Sequence, residues 1–320
     1  MILNSHIVES DHATTNAPLV LLHGLFGSLS NLGVIARALN TNHKIIQLDL
    51  RNHGASPHSA EINYEIMAQD VIDTLDELGI AEFSVIGHSM GGKVAMKIAG
   101  LYPERIAHLI VLDVSPVAYE GHRHQAILNA LNAVRAEPHE LSRKQATEIM
   151  KQYIHEDGVI MFLLKSFNQG HWLFNVDAIE QQYSHIAGWH PIQPWNKPML
   201  LIRGGLSEYV LAEYHDQITA QFPQADIQSI DDVGHWLHAE KPDVVIEMIQ
   251  DFYISKVSHE RTELGDVMTA VNKKTRASMH RVFCFTQFVK VLFRISRRIK
   301  FNTELNPITS LTHPPAIGIA

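Results

Sequence analysis

Five short apolar runs recur along the chain: Leu19–Leu22, Lys44–Leu48, Phe83–Ile86, Leu109–Leu112 and Met199–Ile202. Runs this short, nearly free of polar residues and closed by turn residues, read as strands buried on both faces. Stretches with helical spacing separate them, at Asn31–Leu39, Tyr64–Leu78 and Gly91–Leu101. In YEIMAQDVIDTLDELG, Ile66, Val71, Leu75 and Leu78 fall near one face, and Gly79 follows as a C-capping residue. Strands that alternate with helices form a parallel sheet with right-handed crossovers. The expected fold class is therefore α/β, a mostly parallel sheet flanked by helices.

That rhythm stops between Pro116 and Lys197, where the sequence reads as successive helices broken by Pro138 and Gly158, with no strands. Residues 116–197 are expected to be a helical cap inserted over the sheet's edge, with 1–115 and 198–255 as the core. From Lys256 the composition changes sign. Eleven Lys and Arg against four Asp and Glu give residues 256–320 a net +7, which leaves −15 for the chain before them. Such a shift marks a boundary. Within the extension, RVFCFTQFVKVLFRISRRIK (281–300) sets Lys290, Arg294, Arg297 and Arg298 opposite Phe285, Phe288, Val289, Leu292 and Ile295. Two expectations follow: a single basic amphipathic helix that touches a membrane surface weakly, or a poorly ordered extension.

The overall charge of −8 argues against nucleic acid as a partner. One cysteine, Cys284, excludes an intrachain disulfide framework and fits a reducing compartment. The first residues lack a basic start followed by an apolar run, and no apolar run is long enough to span a bilayer. A cytoplasmic location is expected. Of the 21 histidines, His122 and His124 in GHRHQ come nearest to a cluster, but no Cys pair or HExxH accompanies them. They are expected to be surface or packing residues, and no metal or cofactor is expected.

In 86-IGHSMGGK-93 a serine is boxed by glycines between FSVI and VAMKIAG. GHSMGG resembles the G-x-S-x-G nucleophile elbow of α/β-hydrolases, in which the serine sits on a strained strand-to-helix turn. LVLLHGLFGS resembles the oxyanion loop of the same superfamily, and DLRNHGAS resembles its D-x-R-G-x-G-x-S turn, with Asn52 where glycine is usual. VGHWLHAEKP resembles the loop that carries the family's catalytic histidine. With PLVLLHGLFGSLSNLG, IIQLDLRNHGASPH and EDGVIMFLLKSF, these motifs are similar to those of the bacterial YbfF-type serine esterases, as far as about Tyr253.

The resemblance implies Ser89 as nucleophile, His235 as general base, and the N–H groups of Leu25 and Met90 as oxyanion donors. His23 and His88 are expected to be supports, and His53 structural or at the site's edge. The acid is less direct. The family usually reads G-x-x-D after its penultimate strand, but here LLIRGGLSEYV supplies Ser207 at that place and Glu208 one step later. Asp113, at the end of LIVLD, is the first choice, with Glu208 as the alternative. Asp231 and Asp232 are expected to be loop charges.

The cap would supply the acyl pocket, with Phe162, Phe167, Trp172 and Trp189 as candidates beside Met161 and Leu164. Arg123 would meet an anionic substrate, and Arg203 is expected to pair within the fold. The implied function is hydrolysis of a small-molecule carboxylic ester or acyl thioester. The alternatives are other serine-dependent chemistry on this scaffold (C–C or lactone hydrolysis, perhydrolysis) and a non-catalytic binding protein.

Overall fold

The computed structural model describes residues 1–121 and 123–255. His122, Cys284 and the basic extension with its 281–300 stretch lie outside the described residues. The chain runs β1 (Ser5–Val8), β2 (Leu19–Leu22), α1 (Gly33–Leu39), β3 (Ile45–Leu48), α2 (Tyr64–Glu77), β4 (Phe83–His88), α3 (Met90–Leu101) and β5 (Ile106–Leu112). Then come α4 (Gln125–Arg135), α5 (Arg143–Met150), α6 (Asp157–Leu164), β6 (Phe167–Asn168), β7 (His171–Trp172), α7 (Val176–Gln181) and α8 (Tyr183–Ala187). The chain returns with β8 (Met199–Gly204), α9 (His215–Gln221), β9 (Ala225–Ile230), α10 (Leu237–Glu240) and a last helix, α11, over 242–255.

Seven strands form one sheet in the order β1-β3-β2-β4-β5-β8-β9. Only β1 runs antiparallel to its neighbour. The strands visible in the sequence are the inner ones, because burial on both faces makes them apolar throughout. Alternate residues feed two cores: Val20 and Leu22 face one, with α2 and α3, while Leu19 and Leu21 face the other, with α1 and α11. The edge strands β1 and β9 are half-exposed and carry polar residues, so SHIV and ADIQSI give no apolar run. Among the described residues no helix is long and apolar enough to cross a membrane.

Between β5 and β8 the expectation of helices alone needs correction, because β6 and β7 form a small antiparallel hairpin. Its two turn residues, Gln169 and Gly170, both have positive φ (46° and 79°), the geometry that matches the twist of a tight hairpin. Two-residue strands are too short to show a period. Hydrogen bonds tie this insertion to the loops of the core. Ser166 Oγ donates to the Phe26 carbonyl (3.1 Å), Asn175 N to the Asn52 carbonyl (2.9 Å) and Tyr64 Oη to the Ile186 carbonyl (2.6 Å).

One ion pair fixes the loop after β3 against α2. Arg51 Nε and Nη2 donate to the two oxygens of Asp70 at 2.7 and 3.0 Å, and Nη1 donates to the Glu61 carbonyl at 3.0 Å. The two side chains are only 9% and 2% exposed. Removing one partner strands the other charge, so Asp70→Ala should cost about 3 kcal/mol in urea unfolding. A loss below about 1 kcal/mol, the value typical of a surface pair, would mean that the buried guanidinium does not depend on this carboxylate.

Candidate active site

Ser89 stands between the last residue of β4 and the first of α3, at φ 52° and ψ −120°. A non-glycine residue held there costs roughly 1–3 kcal/mol, which the surroundings must offset. The glycines let that happen. A Cβ on Gly87 would lie 2.2 Å from the Gly91 carbonyl oxygen, and one on Gly91 would lie 2.3 Å from the Leu22 carbonyl oxygen. Side chains at either position would push α3 off β4 and β2. Two further bonds hold the turn: Ser89 N to the Leu112 carbonyl (2.9 Å) and Lys93 N to the Ser89 carbonyl (3.1 Å).

His235 lies in the loop between β9 and α10. Its Nε2 is 2.9 Å from Ser89 Oγ and its Nδ1 is 2.7 Å from Asp113 Oδ2. A carboxylate accepts only, so Nδ1 carries the proton and Nε2 is free to accept from the serine hydroxyl. The Tyr209 ring stacks on the imidazole, with centroids 4.1 Å apart at 28°. Asp113 is fully buried at φ 54°, just past β5. Gly204 N donates to its Oδ1 at 2.9 Å, and Ser207 Oγ donates to the same Oδ2 that faces His235.

Of the two candidate acids, the structure brings Asp113 to the histidine and leaves Glu208 away from it. The Glu208 side chain is 79% exposed and pairs with Arg123 Nη1 at 3.5 Å. The reason is local. Ser207 occupies the inward place on the loop after β8, so the next residue points outward. Asp231 and Asp232 are exposed.

The other histidines hold loops. His23 Nδ1 donates to the Gly24 carbonyl (2.8 Å) while its Nε2 accepts from Leu50 N (3.0 Å). His53 does the same between the Arg51 carbonyl (2.8 Å) and Phe26 N (3.1 Å), so it belongs to the scaffold. His88 Nε2 donates to the His235 carbonyl at 2.9 Å, which sets the height of the His235 loop over the elbow. His124 meets Tyr183 Oη at 2.7 Å and Tyr209 Oη at 3.4 Å.

A pocket of about 420 Å³, part of it open to solvent, lies beside Ser89. Leu25 and Met90 line it next to the serine, and Lys93, Tyr119, Tyr183 and Tyr209 form much of the rest. Of the proposed substrate contacts only Arg123 reaches it, with its guanidinium 5.3 Å from the ring centres of both Tyr119 and Tyr209. Phe162, Phe167, Trp172 and Trp189 do not line it, which corrects the expectation for all four. Phe162 packs on Trp236, and Phe167 on Trp172. Trp172 stacks on Phe174, and Trp189 Nε1 donates to Gln221 Oε1 at 2.8 Å. Leu164 is buried, Met161 is 68% exposed, and Arg203 Nη2 donates to the carbonyls of Gly205 and Ser207. Phe167 and Trp172 are spent on packing within the insertion, and Phe162 and Trp189 on seating it against the core.

Sequence reasoning missed the tyrosines, the brace from Ser207 and the buried Lys93. Tyr209 gives no periodic signal, being a loop residue. Lys93 did leave a trace, as a charge in the otherwise apolar MGGKVAM at the start of α3.

Burial pushes these four histidines, and His238 of α10 beside the His88 ring, below their usual range: His53 and His238 to about 3, His124 to about 4, and His23 and His88 in the same direction. Each is neutral when folded and takes a proton near 6.5 when unfolded. The unfolded state therefore binds more protons in acid, and the stability that these groups contribute is lost as pH falls below about 6.5. His53, His238 and His124 should each remove roughly 1 kcal/mol per pH unit over pH 5.5–4.5, and His23 and His88 act in the same direction. Urea unfolding across that range checks this, and a flat profile would show that the histidines are not buried neutral.

A model of the alpha/beta hydrolase family matches residues 19–248. Over 252 residues the chain is 50% identical to the esterase YbfF of Escherichia coli (strain K12), covering 79% of this chain and 99% of that protein. It is 35% identical to the mouse sn-1-specific diacylglycerol lipase ABHD11 over 78% of this chain and 84% of the relative. Among solved structures, a marine microorganism esterase superposes with a TM-score of 0.73 at 32% identity, covering 78% of this chain and 99% of that one. The elbow, the sheet order and these likenesses agree, and the chain belongs to the alpha/beta hydrolase family.

Proposed function

We propose that the protein is a serine hydrolase that cleaves carboxylic esters, with acyl thioesters such as acyl-CoA within its chemistry, through an acyl-enzyme on Ser89. The observation that carries this reading is the continuous hydrogen-bonded line from Ser89 Oγ through His235 to Asp113. The names of the relatives, an esterase and a diacylglycerol lipase, support the ester bond as the target.

In this mechanism His235 Nε2 takes the hydroxyl proton as Oγ attacks the acyl carbon. Asp113 stays ionised, holds the ring in the reactive tautomer and stabilises the imidazolium. The carbonyl oxygen becomes an oxyanion. Met90 N–H, one of the orphan donors at the start of α3, points the helix N-terminus towards that charge, and Leu25 N–H is its partner. His235 returns the proton to the departing alcohol or thiol, and water repeats the sequence to free the acid. The insertion roofs the pocket, and Arg123 offers a charge at its wall for an anionic group on the substrate.

Hydrolysis of p-nitrophenyl acetate, butyrate and octanoate, with butyryl-CoA alongside, tests the assignment. Ser89→Ala should lower kcat by on the order of 10⁶, and Asp113→Asn by about 10⁴. Glu208→Gln, which removes an exposed charge, should change kcat/KM by less than about fivefold. Equal rates for wild type and Ser89→Ala would end the serine mechanism.

A further inference from the structure

Lys93 is 1% exposed, one turn beyond Ser89 on α3, and lines the pocket. Its Nζ donates to three carbonyls: Val117 at 2.8 Å, Ala187 at 3.2 Å and Gly188 at 3.0 Å. Val117 lies just after the insertion leaves β5, and Ala187 and Gly188 lie on its return towards β8. One ammonium thus grips both stems of the insertion and anchors them to the helix that carries the nucleophile. The rings of Tyr119 (4.5 Å) and Tyr64 (5.4 Å) sit against it. Among the described residues no carboxylate pairs with it, and burial alone pushes it down to about 7.

We propose that the Lys93 ammonium sets the distance between the insertion and the nucleophile helix, so that it limits the acyl chain length accepted at Ser89. It is a positioning residue for the proposed ester hydrolysis, and the inference rests on that reading. An ammonium has three protons for three carbonyls, whereas a neutral amine has two and donates them more weakly. Loss of the proton therefore loosens the grip on the two stems, and the wall they carry, Tyr119 on one and Ile186 and Ala187 on the other, gains room to move back from the serine.

Among the pocket groups that burial displaces, Lys93 is the one brought near neutrality. Burial raises Tyr64 and Tyr119 well above their ordinary range and Tyr209 to about 12, and Tyr183 is also raised. His124, held near 4, stays neutral, and Arg123 stays charged. Lys97, one turn further on, has its own carboxylate, Glu65, at 2.9 Å. Both esters use the same general base, so its contribution cancels in a ratio of two substrates.

The experiment is the octanoate-to-acetate ratio of kcat/KM for p-nitrophenyl esters between pH 6 and 8.5, in wild type and Lys93→Met. The ratio should rise about tenfold with pH in wild type, the scale of a one- or two-methylene change in pocket fit. In Lys93→Met, whose folding is checked by circular dichroism, it should be high and flat. A folded, active variant whose ratio follows the wild-type curve overturns the inference alone. If the variant does not fold, the wild-type ratio decides, and a flat one overturns the inference. A wild type inert towards both esters overturns the esterase reading and the inference with it.

Discussion

The contact on which the site depends is backbone against backbone, where α3 meets β4 and β2. Three glycines, Gly87, Gly91 and Gly92, remove the atoms that would keep the helix away. Without that approach the turn between strand and helix would widen, and Ser89 would relax from φ 52° to an ordinary conformation. Its hydroxyl would then leave the line to His235. Packing density, more than any single hydrogen bond, holds the strained residue in place, since a close-packed interior transmits strain instead of absorbing it.

The carboxylate end of the line rests on a different device. Asp113 comes from the strand next to β4, with its own positive φ and its N–H on the Ile202 carbonyl at 2.8 Å. A fully buried carboxylate needs donors on both oxygens to remain charged. Gly204 N serves one oxygen, while Ser207 and His235 share the other. The loop after β8 therefore contributes a donor through Ser207. Strand β5 and the loop after β8 are neighbours through the β5–β8 pairing, so a side chain from either can reach Asp113 and His235 together.

The sequence made the inner sheet, the elbow and the histidine loop legible because each leaves a local mark: an apolar run, glycines around a serine, a G-H turn before H-x-E-x-P. The end of LIVLD already makes Asp113 the first choice over Glu208, but its contact with His235 shows only in three dimensions, since 122 residues separate the two. The pocket lining was read wrongly for a physical reason. Large apolar side chains such as Phe167 and Trp172 announce burial, and burial in a small insertion means its own core. The wall that faces the serine is instead built from tyrosines and a lysine, amphipathic residues whose polar tips have partners and whose bodies stay apolar.

Those polar tips act beside apolar contacts such as Phe26 on Phe174 and Tyr64 on Trp189 to keep the insertion seated. Tyr64 Oη holds the Ile186 carbonyl, Tyr119 Oη the Tyr209 carbonyl, and Lys93 three carbonyls at the two stems. The acceptors are backbone carbonyls in loops or at the end of α8, groups that are costly to bury without partners. Ala187 accepts from Tyr119 N as well, at 2.9 Å, so the two stems are also joined directly. The insertion is also fastened through Ser166 and Asn175 and shares one apolar core with the sheet, so the stems gripped by Lys93 are one part of a wider seat. Selectivity in such an arrangement is set at the fastening points more than by the aromatic residues inside the roof.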